Sequence, residues 1–133
     1  MKKKCKIYKN ILIDGLKELS DIYYQKRIWL NLDNPDNLVT SFVEAANNVF
    51  DDALISYALS SKQIIFDRKV TRALQDLDEA VDAVNEFRST EEIINDPLMQ
   101  VVREKAAIAL ELIEASDGRE GTVEIVEYPE GSF

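Results

Sequence analysis

Apolar positions recur along this chain with a period near 3.6 residues, and the interruptions between them mark out a succession of amphipathic helices. Ile11, Leu12, Leu16 and Leu19 predict the first, weakened by Gly15, since glycine costs about 1 kcal/mol relative to alanine inside a helix. Ser20-Asp21 offers a restart before Ile22–Leu30, so two short helices or one kinked helix are expected. Asn31–Asn37 is a turn cluster, and Asn34-Pro35 supplies an N-cap amide followed by proline at the first helical position. A long helix is expected from there to about Ser60. Its core face holds Val39, Phe42, Val43, Ala46, Val49, Phe50, Ala53, Leu54 and Tyr57, inside an arc of about 140°. Glu44, Asn47, Asn48, Asp51 and Asp52 take the opposite face.

Ser60-Ser61-Lys62 breaks that pattern, and Gln63–Phe66 reads as an apolar connector lying extended on the bundle. Asp67 then caps a second long helix that buries Val70, Ala73, Leu74, Leu77, Ala80, Val81, Val84 and Phe87 and exposes Asp78, Glu79, Asp82 and Glu86. A short turn or helix begins at Ser89, and Asp96-Pro97 repeats the cap-then-proline signal for a last helix from Pro97 to Ser116. The apolar arc of that helix is wider, about 200°, and predicts the most buried element. Lys105 falls inside the arc and is expected to snorkel along its methylene stem. Beyond Asp117-Gly118, Thr122–Tyr128 alternates with period two. This lone strand has no evident partner, and it is expected to lie on the bundle as an arm or to pair with a second copy in a homodimer. The fold class is therefore all-α, an antiparallel bundle of four to five helices over residues 1–118 with an extended C-terminal arm over 119–133.

With 133 residues, 46% hydrophobic and 31% charged, the chain is too apolar for a disordered acidic polypeptide and long enough for one real core. No window approaches the ~18 apolar residues of a membrane span. The net charge of −9 is unevenly placed. Residues 1–30 carry eight Lys or Arg against three acids, whereas the remainder carries 22 acids against eight bases. Such a body repels nucleic acid and anionic lipid and attracts basic partners. Lys2-Lys3-Lys4 reads as a solvated basic end. Lysines ahead of Ile11-Leu12-Ile13 imitate a signal peptide, but Asp14, Gly15 and Lys17 break the apolar run, so with one unpaired Cys5 the expected compartment is the cytoplasm.

Histidine is absent, which removes the commonest general base and metal ligand, and no glycine-rich phosphate loop occurs. Carboxylates alone can hold Mg²⁺ in helical bundles, and Glu44, Asp51, Asp52, Asp76, Asp78, Glu79 and Asp82 are the material for such a nucleotide hydrolase. All but Asp76, which sits nearer the edge, lie opposite the apolar stripes and point to water, so no cofactor and no catalytic residue are expected. Glu44, Asp51, Asp52, Asp78, Glu79, Asp82 and Glu86 are instead candidate contacts for a basic protein, although each also serves solubility. Trp29 is read as a plug in the core, with a recognition patch shared with Tyr23 and Tyr24 as the alternative.

Tyr24-Gln25-Lys26-Arg27-Ile28-Trp29, Ser41-Phe42-Val43-Glu44 with Phe50-Asp51-Asp52, and Asp96-Pro97-Leu98-Met99 with Val102-Arg103 resemble a group of small bacterial all-helical proteins. The resemblance spans about residues 20–113 and implies an immunity protein of a toxin-delivery system, which would neutralise a cognate toxin. It implies no catalytic residue.

Overall fold

The computed structural model describes residues 2–30, 41–60, 68–116 and 123–129, with the strands and Ser116 described through their backbone apart from Tyr8. The expected turn and helix start at Asn31–Pro35, the connector with its Asp67 cap, and Asp117-Gly118 lie outside these residues.

Helix α1, Lys9–Ser20, buries Leu12, Leu16 and Leu19 completely. It stops at Asp21, whose carboxylate accepts hydrogen bonds from the amides of Tyr23 and Tyr24 and thereby starts α2, Ile22–Tyr24. The restart expected at Ser20-Asp21 is therefore real. The chain then continues as a π-helical turn over Gln25–Trp29, where Leu30 N–H reaches back five residues to the Gln25 carbonyl. Gly15 does more than weaken a helix. A Cβ there would sit 2.6 Å from Val49 Cγ2 and 3.2 Å from the Ala45 carbonyl oxygen, so glycine is what lets α1 approach α3 closely.

Helix α3, Phe42–Asn47, is capped by Ser41, whose hydroxyl accepts from Glu44 N–H, and it too widens into a π turn over Asn48–Asp52. The single helix expected to reach Ser60 does not form. Leu54 adopts φ 66°, and α4, Ile55–Ser60, leaves in a new direction. This break turns Tyr57 out to solvent and puts Ile55 and Ala58 in the core in its place, while Leu54 is half-buried. Val43 is also exposed, at the edge of the arc.

Helix α5, Arg68–Ala83, buries Val70, Ala73, Leu74 and Leu77. It ends earlier than the periodicity predicts, so Phe87 lies beyond it and is 90% exposed instead of packed. Helix α6, Thr90–Ile94, has a full capping box between Ser89 and Glu92. Helix α7, Pro97–Ser116, occupies the predicted span, and Asp96 caps it by accepting from Leu98 N–H at 2.8 Å. Its buried stripe is narrower than the predicted arc. Met99, Val102, Ala106, Ala109 and Ile113 are fully buried between α1 and α5, but Leu98, Val101 and Ile108 are exposed. Each large aliphatic side chain in this core contributes about 1.5–3 kcal/mol over an exposed one.

Lys2-Lys3-Lys4, read as a solvated basic end, belongs to a backbone that is extended and paired. Strand β1, Lys2–Tyr8, pairs antiparallel with β2, Val123–Pro129, in a register that sets Cys5 against Val126 and Lys4 against Glu127. The lone strand finds its hydrogen-bonding partner in the opposite end of its own chain, because an extended segment must have its backbone groups satisfied somewhere. Tyr8 N–H then bonds the Ala53 carbonyl at 3.2 Å, tying the ribbon to the break before α4. The architecture is an all-α bundle carrying this ribbon.

Candidate functional site

Two of the resemblance's residues meet inside the protein. Gln25, fully buried, donates its amide to the Glu18 and Leu19 carbonyls at 2.9 and 3.0 Å, and its Oε1 accepts from Arg103 Nη1 at 3.0 Å. Arg103 also donates to the Ile94 carbonyl and to Gln100 Oε1. Among the described residues no carboxylate lies within ion-pairing distance of this guanidinium, and burial lowers its pKa. Trp29 is buried and donates Nε1–H to Glu18 at 3.4 Å. Tyr24 also bonds Glu18; burial first, and then that carboxylate, raises the phenol's pKa. Tyr23 is left in solvent. The aromatic cluster is therefore split, with Trp29 in its packing role. These residues hold α1, the π turn, α6 and α7 together, which is a structural task.

The outward acids are arranged differently. Asp51 from the second π turn meets Asp78, Asp82 and Glu86, from α5 and the loop after it, along one groove of about 210 Å³. Phe42 and Phe50, both nearly buried, form its floor. The four-residue spacing of Asp78 and Asp82 aligns them on one side of α5, and the turn after the helix brings Glu86 to the same groove. The wide turn at Asn48–Asp52 brings Asp51 to the other wall. Asp78 is half-buried here, and desolvation, followed by repulsion from Asp82 and Glu79, pushes its carboxyl pKa above the ordinary value. Glu79 is exposed and faces a neighbouring cleft with Ser56 and Arg72. Glu44 and Asp52 are exposed but line neither groove. Of the seven predicted contacts, four thus converge, one is adjacent and two stand apart. Among the described residues no three Asp, Glu, His or Cys groups are placed to hold a metal ion, and no helix is long and apolar enough to cross a membrane.

Phe87 stands beside the groove, next to Glu86. Its position is set by the loop: Asn85 Oδ1 accepts from Phe87 N–H at 3.0 Å, and Arg88 is fixed by Asp96 and by the Asn85 carbonyl. Sequence periodicity missed this residue because it extended α5 by one turn too many. The Asn at position 85, a residue whose side chain readily closes a turn on the backbone two residues on, was the available signal.

A second concavity was also missed. The first half of α5 and the second half of α7 enclose a cleft of about 430 Å³, walled by Arg68, Lys69, Arg72 and Lys105 over an apolar floor of Ala73, Ile108 and Leu112. Asp76 is the acid on its wall, and it pairs with Arg72 at 3.1 Å. Lys105, expected to snorkel, is half-buried at this cleft. Compared with known proteins, the chain matches no family model, no curated protein and no solved structure.

Proposed function

We propose that this chain is a non-catalytic binding protein that presents an acidic groove to a basic protein, and more specifically a cytoplasmic immunity protein that neutralises a nuclease-type toxin. The observation that supports it is the convergence of Asp51, Asp78, Asp82 and Glu86 above Phe42 and Phe50. A surface like this suits the cationic groove of an enzyme that acts on nucleic acid. Opposite fields accelerate encounter, and a partly desolvated Asp78 gains most when a cation of the partner replaces its lost water. Phe87 adds an exposed aromatic of the type that anchors interfaces, in a neighbouring concavity that shares Val81, Asp82 and Glu86 with the groove. The sequence resemblance to immunity proteins leads to the same reading.

The test is a binding and inhibition assay against a panel of purified basic nuclease toxin domains, at low and high salt. A cognate pair shows loss of nuclease activity on binding, and an association rate that falls steeply as salt shortens the reach of exposed charges to about 10 Å at 0.1 M. The double variant Asp82→Lys with Glu86→Lys abolishes inhibition. Binding that is indifferent to both salt and these reversals overturns the assignment.

A further inference from the structure

We propose that the cleft between α5 and α7 is a binding site for a small amphipathic anion, a molecule with one negatively charged head and a hydrocarbon body. Residues 68–115 contain six Lys or Arg side chains. Two of them, Arg88 and Arg103, are committed to internal bonds around α6. The other four, Arg68, Lys69, Arg72 and Lys105, all line this one cleft, where Asp76 pairs with Arg72 and leaves three cations in excess among the described residues. In a chain of net charge −9, that is a local inversion of sign.

The chemistry of the cleft selects the ligand. Its volume of about 430 Å³ lies within the roughly 300–1,000 Å³ of small-molecule sites. Ile108, 47% exposed, and Leu112 offer hydrocarbon contact that water serves poorly. Lys105 is half-buried, and among the described residues it has no carboxylate within ion-pairing distance. A half-desolvated ammonium over an apolar floor is matched by an anion attached to a tail. An extended polyanion is a poorer fit, because Asp78 and Glu79 stand on α5 just past Arg72 and would oppose its continuation. The cleft shares none of its lining with the acidic groove, so the proposal stands apart from the partner-binding reading.

Titration of the isotopically labelled full chain with decanoate, below its micelle concentration, tests the site by amide chemical shifts. The expected result is saturable change confined to the first turns of α5 and to residues 105–112 of α7. Acetate, which has the head alone, and decylammonium, which reverses its sign, give none. Lys105→Met keeps the apolar stem and is expected to weaken decanoate by about tenfold. The double variant Arg68→Gln with Lys69→Gln, at two exposed positions, gives the same direction should the Lys105 variant not fold. No saturable shift, shifts centred elsewhere, equal binding of decylammonium, or unchanged affinity in the folded variants overturns the proposal.

Discussion

Helices α6 and α5 handle charge in opposite ways. Helix α6 follows local chemistry at every point: Ser89 and Glu92 cap it reciprocally, Glu91 and Glu92 sit in its first turn where the helix dipole favours acids, and Arg88 and Asp96 close the corner around it. Helix α5 runs against the same chemistry. Arg68 and Lys69 open it, its last turn holds Asp82 and no base, and Asp78 lies beside two further acids. The dipole disfavours charges placed this way by about 0.3–1 kcal/mol each at an exposed site. Even the two aspartates titrate oppositely. Leu98 N–H, and then Arg88, lower the pKa of Asp96, whereas burial and like charge raise that of Asp78. A protein departs from local consistency where something other than stability is being served, and both surface concavities discussed above are built on α5.

The contrast can be broken most forcefully at the self-satisfied corner. Arg103→Ala leaves Gln25 Oε1 and the Ile94 carbonyl buried without a donor, and is expected to cost about 3–5 kcal/mol in urea denaturation. Pairing Arg103→Met with Gln25→Leu should recover part of that loss, since Gln25 Oε1 is then gone and only the Ile94, Glu18 and Leu19 carbonyls lose a donor; a double variant as unstable as the alanine one would mean that packing or those carbonyls, not the Arg103–Gln25 bond, matters. Next in size, Ser89→Ala removes the capping box and is expected to cost about 1 kcal/mol, read as a lower midpoint at unchanged slope.

On α5 the sign is expected to reverse. Asp82→Lys replaces an acid by a base in the last turn and should stabilise the fold by about 0.3–1 kcal/mol while weakening the basic partner. A variant both less stable and fully active would dissolve the distinction between the two helices. The smallest effect is on pH dependence. Because the folded-state pKa of Asp78 is raised, the native state holds the extra proton between the ordinary carboxylate value and the raised one, and the group's destabilising charge fades as pH falls through that window. Asp78→Asn is therefore expected to raise the melting temperature slightly at pH 7 and to give no gain once pH drops below the unfolded value. Asp96 has the opposite linkage: its stabilisation is present above the unfolded pKa and is lost as pH falls through the lowered one, so Asp96→Asn should destabilise at pH 7 and converge with the parent in acid.

What could be read from the chain was whatever is written locally. Asp96-Pro97 located α7 to the residue because cap and proline act on adjacent backbone, and the buried faces of α1 and α5 followed from periodicity apart from Ile11 and Phe87, which are exposed. Leu54 could not be foreseen, since nothing in leucine favours a left-handed backbone; the surrounding packing imposes it and redirects Tyr57. The β1–β2 pairing joins residues more than a hundred positions apart, beyond the reach of any local signal. For the acidic groove, the α5 side was legible as one helical face, but its union with Asp51 depended on the π turn, which has no sequence signature. The cationic cleft is not legible in either helix alone, because Arg68, Lys69 and Arg72 stand on α5 and Lys105 on α7, and only the packing of the two brings them together.

The exposed ring of Phe87 has a bearing on handling the protein at high concentration. Its neighbours Asp82 and Glu86 are both acids, so two molecules approaching through this corner repel before the rings can touch. The net charge of −9 that keeps molecules apart shrinks as pH falls toward the isoelectric point near 4.5. Colloidal stickiness in mildly acidic buffer, relieved by Phe87→Ser, is the consequence of holding a bare aromatic on a fixed turn.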